Sequence, residues 1–241
     1  MANRKPMVSI IIPSYNHEKY IEKCILSILN QTFQDFEIVI IDDCSTDNSA
    51  NVIRTFCDER IIFEILNRNS GMNVAVEKCM QKCTGKYIAF ISSDDMWKST
   101  KLEKQVDFLE KNKAYDAVLT QVEFIGEDGK SMSEKKNRQA GIFEYQNRSS
   151  KQWLRRFFYQ GNCLCKPSMM IRKGVYKSLN YLDKRIISFS DFDFWVRFSF
   201  NHEFWILDEK LTKFRIRDNE MNISAGTIEN RNRAACIFRY T

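Results

Sequence analysis

Apolar residues in the first hundred positions follow two alternating rhythms. Short runs rich in β-branched residues stand at Val8 to Ile12, Phe36 to Ile41, Ile61 to Leu66 and Tyr87 to Ile91. Each is the length of a strand buried on both faces and too short for a helix. Between them the spacing changes. Tyr20, Ile21, Cys24, Ile25, Ile28 and Leu29 keep the i, i+3, i+4 interval of a helix packed on a sheet. Val52, Ile53 and Phe56 give a second helix its apolar face, and a third is predicted from about Asn73 to Lys82. The punctuation fits: Pro13 is expected to stop the first strand, Asn16 to cap the helix after it, and Gly85 to end the third helix in a left-handed cap.

The order is therefore βαβαβαβ, which predicts an α/β fold with a mostly parallel sheet covered by helices on both faces. Ligands of such sheets bind beyond the carboxyl ends of the strands. If the first and fourth strands are neighbours, the segments Pro13–Asn16 and Ser93–Asp95 flank the point where the winding reverses.

The polar residues at those ends are concentrated. Asp42-Asp43 ends the second run and Ser92-Ser93-Asp94-Asp95 ends the fourth. Carboxylates this close repel each other unless a cation or hydrogen-bond donors offset the repulsion. One reading is a site for a cation and a nucleotide. The plainer one is helix capping, with Asp94 and Asp95 ahead of a helical segment from Trp97 to Lys111. The chain has no GxGxxG after its first strand and no GxxxxGK[ST] anywhere, which disfavours dinucleotide and P-loop sites. A diphosphate without such a cradle can be neutralised by a divalent cation on carboxylates, and Asp94 and Asp95 would serve.

Composition narrows this further. A chain of 241 residues with 18 Phe and three Pro predicts one continuous, well-filled domain without linkers or repeats. No apolar stretch approaches the ~20 residues of a membrane span, and neither a signal peptide nor a transmembrane helix is expected. The eight cysteines are scattered without a CxxC pair, so reduced thiols in a cytoplasmic protein are expected, and zinc is not. The net charge of +6 is asymmetric: residues 1–121 hold 15 Lys+Arg against 17 Asp+Glu, and residues 122–241 hold 22 against 14. The basic half suits an anionic substrate, a phosphorylated lipid surface or nucleic acid, or is simply a solvated Lys-rich surface. Residues 151–159, Lys-Gln-Trp-Leu-Arg-Arg-Phe-Phe-Tyr, have a core reading, with Trp153, Leu154, Phe157 and Phe158 on one side, and a membrane-surface reading.

Taken in order, Val8-Ser-Ile-Ile-Ile-Pro-Ser-Tyr-Asn16, Gln31-Thr-Phe33, Ile41-Asp-Asp-Cys-Ser-Thr-Asp47, Asn69-Ser-Gly71, Gly85-Lys-Tyr-Ile-Ala-Phe90 and Ser92-Ser-Asp-Asp95 resemble the family 2 glycosyltransferases of the GT-A fold. Gly161-Asn-Cys-Leu-Cys-Lys-Pro-Ser168 and Ser190-Asp-Phe-Asp-Phe-Trp-Val-Arg197 resemble that family's acceptor-side segments, and the likeness runs from about residue 7 to Ser224. Many family members continue with further helices past that point.

The resemblance implies an inverting transferase that takes a sugar from a nucleotide diphosphate sugar, UDP-linked in the usual case, to a hydroxyl of a glycan or lipid-linked acceptor in surface polysaccharide synthesis. Residues 1–121 would form the nucleotide-sugar half of the single domain and residues 122–241 the acceptor-side half, a Rossmann-like sheet with a C-terminal extension. Pro13 and Tyr15 would line the nucleoside pocket with Asn69 and Gly71, Asp43 would take a hydrogen bond from the base, and Asp94 would lie near the ribose. Asp95, the last carboxylate of the DxD-type motif, would hold Mn²⁺ or Mg²⁺. Asp191 would be the base. Its aromatic neighbours would raise its pKa and Arg197 would oppose them; capping of the aromatic helix is its alternative role. The chain departs from the family at Ser190, where an acid commonly precedes the base, at Lys166 and Arg217, where His is common, and at Val76-Glu77, where Arg-Asn is frequent. Two rival functions are a nucleotidyltransferase, whose glycine-rich basic signature is absent, and a non-catalytic nucleotide-sugar-binding scaffold. The expected site is cytoplasmic, with peripheral contact at the inner face of the membrane as an extension of it, and nucleic acid is not an expected partner.

Overall fold

The computed structural model describes residues 5–132, 141–143, 145–182, 186 and 190–217. In chain order it comprises β1 (Val8–Ser14), α1 (Ile21–Leu29), β2 (Phe36–Asp42), α2 (Ser49–Arg54), β3 (Ile61–Ile65), α3 (Met72–Lys82), β4 (Tyr87–Phe90), β5 (Met96–Trp97), α4 (Lys101–Lys111), β6 (Ala117–Ile125), α5 (Ser150–Gln160), β7 (Met170–Arg172), α6 (Lys173–Ser178), α7 (Ser190–Ser199) and β8 (Phe204–Arg215). A single 3₁₀ turn spans Lys166–Ser168.

One eight-stranded sheet has the order β3-β2-β1-β4-β7-β6-β8-β5. β3, β2, β1 and β4 run parallel, so the first and fourth strands are neighbours as the switch-point argument required. β7 is antiparallel to β4 and β6, and β8 returns parallel to β6.

The period-2 alternation sorts each strand onto two cores. Ile11, Val39, Ile41, Ile88 and Phe90 face one side with residues of α3, α5, α6 and α7. Val8, Ile10, Ile12, Ile38, Ile40, Tyr87 and Ala89 face the other with α1, α2 and α4. Each fully buried Ile contributes roughly 1.5–3 kcal/mol on transfer from water, so this alternation holds the strand register firmly.

Four sequence expectations need correction. Pro13 does not stop β1, which continues to Ser14. Alternate residues of a parallel strand bond to alternate neighbours; Ile11 O accepts from Ile91 N and Ser14 O from Asp43 N. Pro13 therefore shares the side of Ile11, past the end of β4, where no ladder donor is needed. Asn16 caps no helix: it adopts a positive φ of 52°, and α1 begins five residues later. Gly85 has no positive φ. It is required because a Cβ there would lie 2.7 Å from Ser9 N and 2.9 Å from Val8 C. Finally, Met96 and Trp97 pair with β8 as a strand, and the helix starts at Lys101, too far on for Asp94 or Asp95 to cap it.

Helix α5 follows the core reading in part. Trp153 and Phe157 are buried, but Phe158 is 60% exposed. No helix among the described residues is long and apolar enough to cross a membrane.

Candidate active site

The loops after β1 and β2 are laced together by side chains that compete well for backbone donors. Asp42, fully buried, accepts from Ser45 N and Ser45 Oγ, both at 2.7 Å. Asn16 Oδ1 accepts from Thr46 N at 2.8 Å, and Ser49 Oγ accepts from His17 N at 2.8 Å. Asp43 reaches across to the loop before α3, where its two oxygens accept from Ser70 N and Gly71 N, each at 2.7 Å. Repulsion within this first acidic pair is thus offset by donors rather than by a cation. Gly71, with φ of 89°, turns the chain into α3.

The second pair is arranged differently. Asp95, 1% exposed, accepts a 2.9 Å hydrogen bond from Arg215 N at Oδ1, while its Oδ2 is buried with no hydrogen-bond partner. Burial, with the charge of Asp94 beside it, pushes its carboxyl well above the usual carboxylate range. The Arg215 guanidinium is committed elsewhere, to the carbonyls of Asp94, Gly126 and Glu127 at 2.7–2.8 Å. Asp94 Oδ2 lies 3.7 Å from Arg217 Nε and 4.0 Å from His17 Nε2. Arg217 Nη1 is 3.1 Å from His17 Nε2, and a guanidinium only donates, so Nε2 accepts; the Nδ1 proton then goes to Ser93 Oγ at 2.6 Å.

A divalent cation fits here. A buried carboxylate oxygen without a donor is the feature that a cation would satisfy, and Asp94 is adjacent. Among the described residues no three His, Cys, Asp or Glu side chains converge. Asp95, helped by Asp94, would therefore hold the ion with the remaining positions left to substrate phosphates and water, as Mg²⁺ and Mn²⁺ sites on phosphate substrates are built.

Asp191 opens α7, whose Phe194, Trp195 and Phe198 are fully buried and pack with Trp153 and Phe204. Its Oδ2 accepts from Asn162 Nδ2 at 2.7 Å, and its Oδ1 from the N–H of Phe192 at 2.9 Å. Burial raises its pKa, and the Lys166 charge and these donors pull it back. The expected opposition from Arg197 goes elsewhere, since Arg197 pairs with Asp193 at 2.7 Å. The start of α7 is tied to α3 through Ser190 Oγ, which donates to Asn73 Oδ1 at 2.9 Å.

The family model described as Glycosyl transferase family 2 matches residues 9–179. An uncharacterised glycosyltransferase of Methanocaldococcus jannaschii is 34% identical over 225 residues, covering 90% of this chain and 74% of that protein. The chain belongs to glycosyl transferase family 2. Another relative of this family 2 glycosyltransferase is the Escherichia coli UDP-Glc:alpha-D-GlcNAc-diphosphoundecaprenol beta-1,3-glucosyltransferase WfaP. It is 39% identical over 109 residues, 45% of this chain and 43% of that protein. Staphylococcus aureus TarS 1–349, solved with UDP-GlcNAc, superposes with a TM-score of 0.75 at 21% identity, over 97% of this chain and 66% of that one. At that identity the likeness speaks for the fold alone, and the fold is GT-A, as the sequence implied. The chain spans less than half of WfaP's length and about two thirds of the TarS fragment.

Within this family 2 enzyme, Pro13, Tyr15, Asp43, Gly71, Asp94 and Asp95 all lie at the carboxyl ends of β1, β2 and β4 or in the loops that these join. Tyr15 and Asn69 are exposed there, and Tyr15 is 40% accessible. Asp191 comes from α7, and its hydrogen bonds go to Asn162 and the N–H of Phe192 rather than to Asp94 or Asp95. The thiol of Cys165 is pushed up first by burial and further by the charges of Asp95 and Asp191. Sequence reasoning missed His17, Arg215 and Asn162. His17 is one of only two histidines and follows a flagged Asn, which was a usable signal. The roles of Arg215 and Asn162 depend on contacts 120 and 29 residues away, which no local pattern encodes.

Proposed function

We propose that this transferase moves a sugar from a UDP-sugar, with a divalent cation, to a hydroxyl of a diphosphate-linked or glycan acceptor during surface polysaccharide synthesis. The observation that carries the reading is the buried, donor-free Oδ2 of Asp95 at the switch point of the parallel sheet. WfaP's printed activity uses UDP-Glc and a diphosphoundecaprenol acceptor, and TarS was solved with UDP-GlcNAc, which supports this donor and acceptor class.

Asp95 and Asp94 would hold Mn²⁺ or Mg²⁺, which when bound offsets the charge gained by the departing diphosphate. The Asp43–Gly71 tie fixes the loop that borders the nucleoside pocket, where Pro13, Tyr15 and Asn69 form the remaining wall. Asp191 takes the proton from the acceptor hydroxyl as its oxygen bonds to the anomeric carbon. The bond from that carbon to the phosphate oxygen breaks, with its electron pair leaving on the diphosphate. One displacement inverts the anomeric centre. Asn162 aims the Asp191 carboxylate, and burial brings its pKa closer to that of a working base.

Incubating the protein with UDP-glucose or UDP-GlcNAc, Mn²⁺ and a diphosphate-linked N-acetylglucosamine acceptor, and following UDP release, tests the reading. Acceptor-dependent UDP release that Asp191→Asn abolishes, with UDP binding retained, is the expected result. Equal turnover by Asp191→Asn removes Asp191 from the mechanism.

A further inference from the structure

Lys166, in the acceptor-side segment, feels the charge of Asp191 but is paired with no carboxylate among the described residues. The residue is only 9% exposed. Among the described residues its ammonium makes no hydrogen bond and no salt bridge; its recorded contact is with the ring of Phe90, 4.7 Å from the centroid. A buried ammonium has three donors to satisfy, and a ring face satisfies none of them as an acceptor oxygen would. A ligand oxygen would supply the acceptor that the ring does not.

Its position says which ligand. Phe90 is the last residue of β4, immediately ahead of the segment that carries Asp94 and Asp95. Asp191 is the carboxylate whose charge Lys166 feels. The turn that bears Lys166 is fixed rather than free: Trp97 Nε1 donates to Pro167 O at 3.2 Å, and Gln105 Nε2 donates to Ser168 O at 2.9 Å. The ammonium is therefore held over the last residue of the strand that leads to Asp94 and Asp95, within reach of the Asp191 charge, and a sugar–phosphate linkage must pass near these segments if transfer occurs as proposed above.

We propose that Lys166 is an anion-binding residue of this site, its ammonium taking a phosphate oxygen of the substrate at the junction of donor and acceptor. The inference rests on the donor-transfer reading and adds a specific residue and ligand chemistry to it. The phosphate belongs either to the donor diphosphate or to a phosphate of the acceptor, and the two sources are separable.

Burial lowers the pKa of Lys166 to about 7, against the pull of Asp191; Arg197, itself paired with Asp193, adds to the lowering. Without an anion the amine is mostly neutral at pH 8, and a phosphate oxygen beside it restores the proton. Anion binding at pH 8, where a terminal phosphate is fully ionised, should therefore take up a proton.

The test is calorimetric titration of the whole chain with UDP and Mn²⁺ at pH 8, in two buffers of different ionisation enthalpy, on wild type, Lys166→Met and Lys166→Arg. Inorganic pyrophosphate is then titrated into the UDP-loaded proteins. If the oxygen is the donor's, wild type takes up a proton with UDP, and Lys166→Met binds UDP about tenfold or more weaker without proton uptake, while Lys166→Arg keeps the affinity without the uptake. If it is the acceptor's, UDP binding is unchanged and both effects move to the pyrophosphate titration. Equal affinities and equal proton uptake in wild type and Lys166→Met, in both titrations, overturn the inference. Failure of wild type itself to bind UDP overturns the donor reading instead. Thermal melts of both variants, with Lys166→Arg conserving charge, separate misfolding from loss of the ligand.

Discussion

Asp95 Oδ1 accepts a 2.9 Å hydrogen bond from the backbone N–H of Arg215, 120 residues further along the chain. This bond pins the carboxylate just ahead of β5 to the last residue of β8 and leaves Oδ2 buried without a donor. Any substitution at Arg215 other than proline keeps this backbone donor, so the orientation of Asp95 is built into the sheet. The guanidinium of Arg215 locks the same corner through three carbonyls. Arg215→Ala should therefore lower stability by about 2–4 kcal/mol, since several buried acceptors lose a charged donor at once. Chemical denaturation with an unchanged slope against denaturant checks it.

Asp43 holds Ser70 and Gly71 through two charge-assisted bonds of 2.7 Å. Asp43→Asn keeps the shape but replaces one acceptor with an amide donor that faces a backbone N–H. The expected cost is about 1–3 kcal/mol in stability, together with weaker UDP binding if the loop borders the nucleoside pocket as proposed, because that loop loses its anchor. Thermal melts and calorimetry on the same variant measure both.

Gly85 is pressed against β1, with no room for a methyl group between it and Ser9 N and Val8 C. Gly85→Ala should destabilise the protein by about 1–3 kcal/mol through overpacking of backbone against backbone. An unaltered melting temperature would show that the two segments separate readily, contrary to the Gly85 N to Ser9 Oγ bond of 2.8 Å.

The acid limb of the pH–rate profile should report Asp191, which must be ionised to accept a proton. Burial raises its pKa, while Asn162, donating to the ionised form at 2.7 Å, lowers it. Asn162→Ala removes a lowering cause, so the folded-state pKa rises and the acid limb of kcat/KM moves to higher pH. The variant should be slowest relative to wild type at acidic pH and recover as pH rises. A profile displaced equally at all pH values would assign Asn162 a purely structural role.

Much of this was legible in the sequence because the local signals agree with the global fold. The strands and helices that carry the parallel half of the sheet follow from the change between periods of two and 3.6; Asp94 and Asp95 stood out as acids at a strand end, and Asp191 was singled out only by the family resemblance. What was missed depended on three-dimensional neighbours. Pro13 reads as a stop until the early end of β4 is known, and Asn16 reads as a cap until Thr46 is seen to bind it. Gly85 reads as a left-handed cap until Ser9 is seen to press on it. The helix predicted from Trp97 begins at Lys101 because Met96 and Trp97 pair with a strand more than a hundred residues away. Phe158 lies outside the core because the helix turns it past the buried edge set by Trp153 and Phe157.

The most direct test of the central claim is calorimetric titration of the protein with UDP, with and without Mn²⁺, for wild type and Asp95→Ala. UDP binding that Mn²⁺ strengthens by about tenfold or more in wild type and leaves unchanged in Asp95→Ala is the expected result. UDP binding by wild type that ignores Mn²⁺, or a Mn²⁺ effect that survives in folded Asp95→Ala, would contradict it.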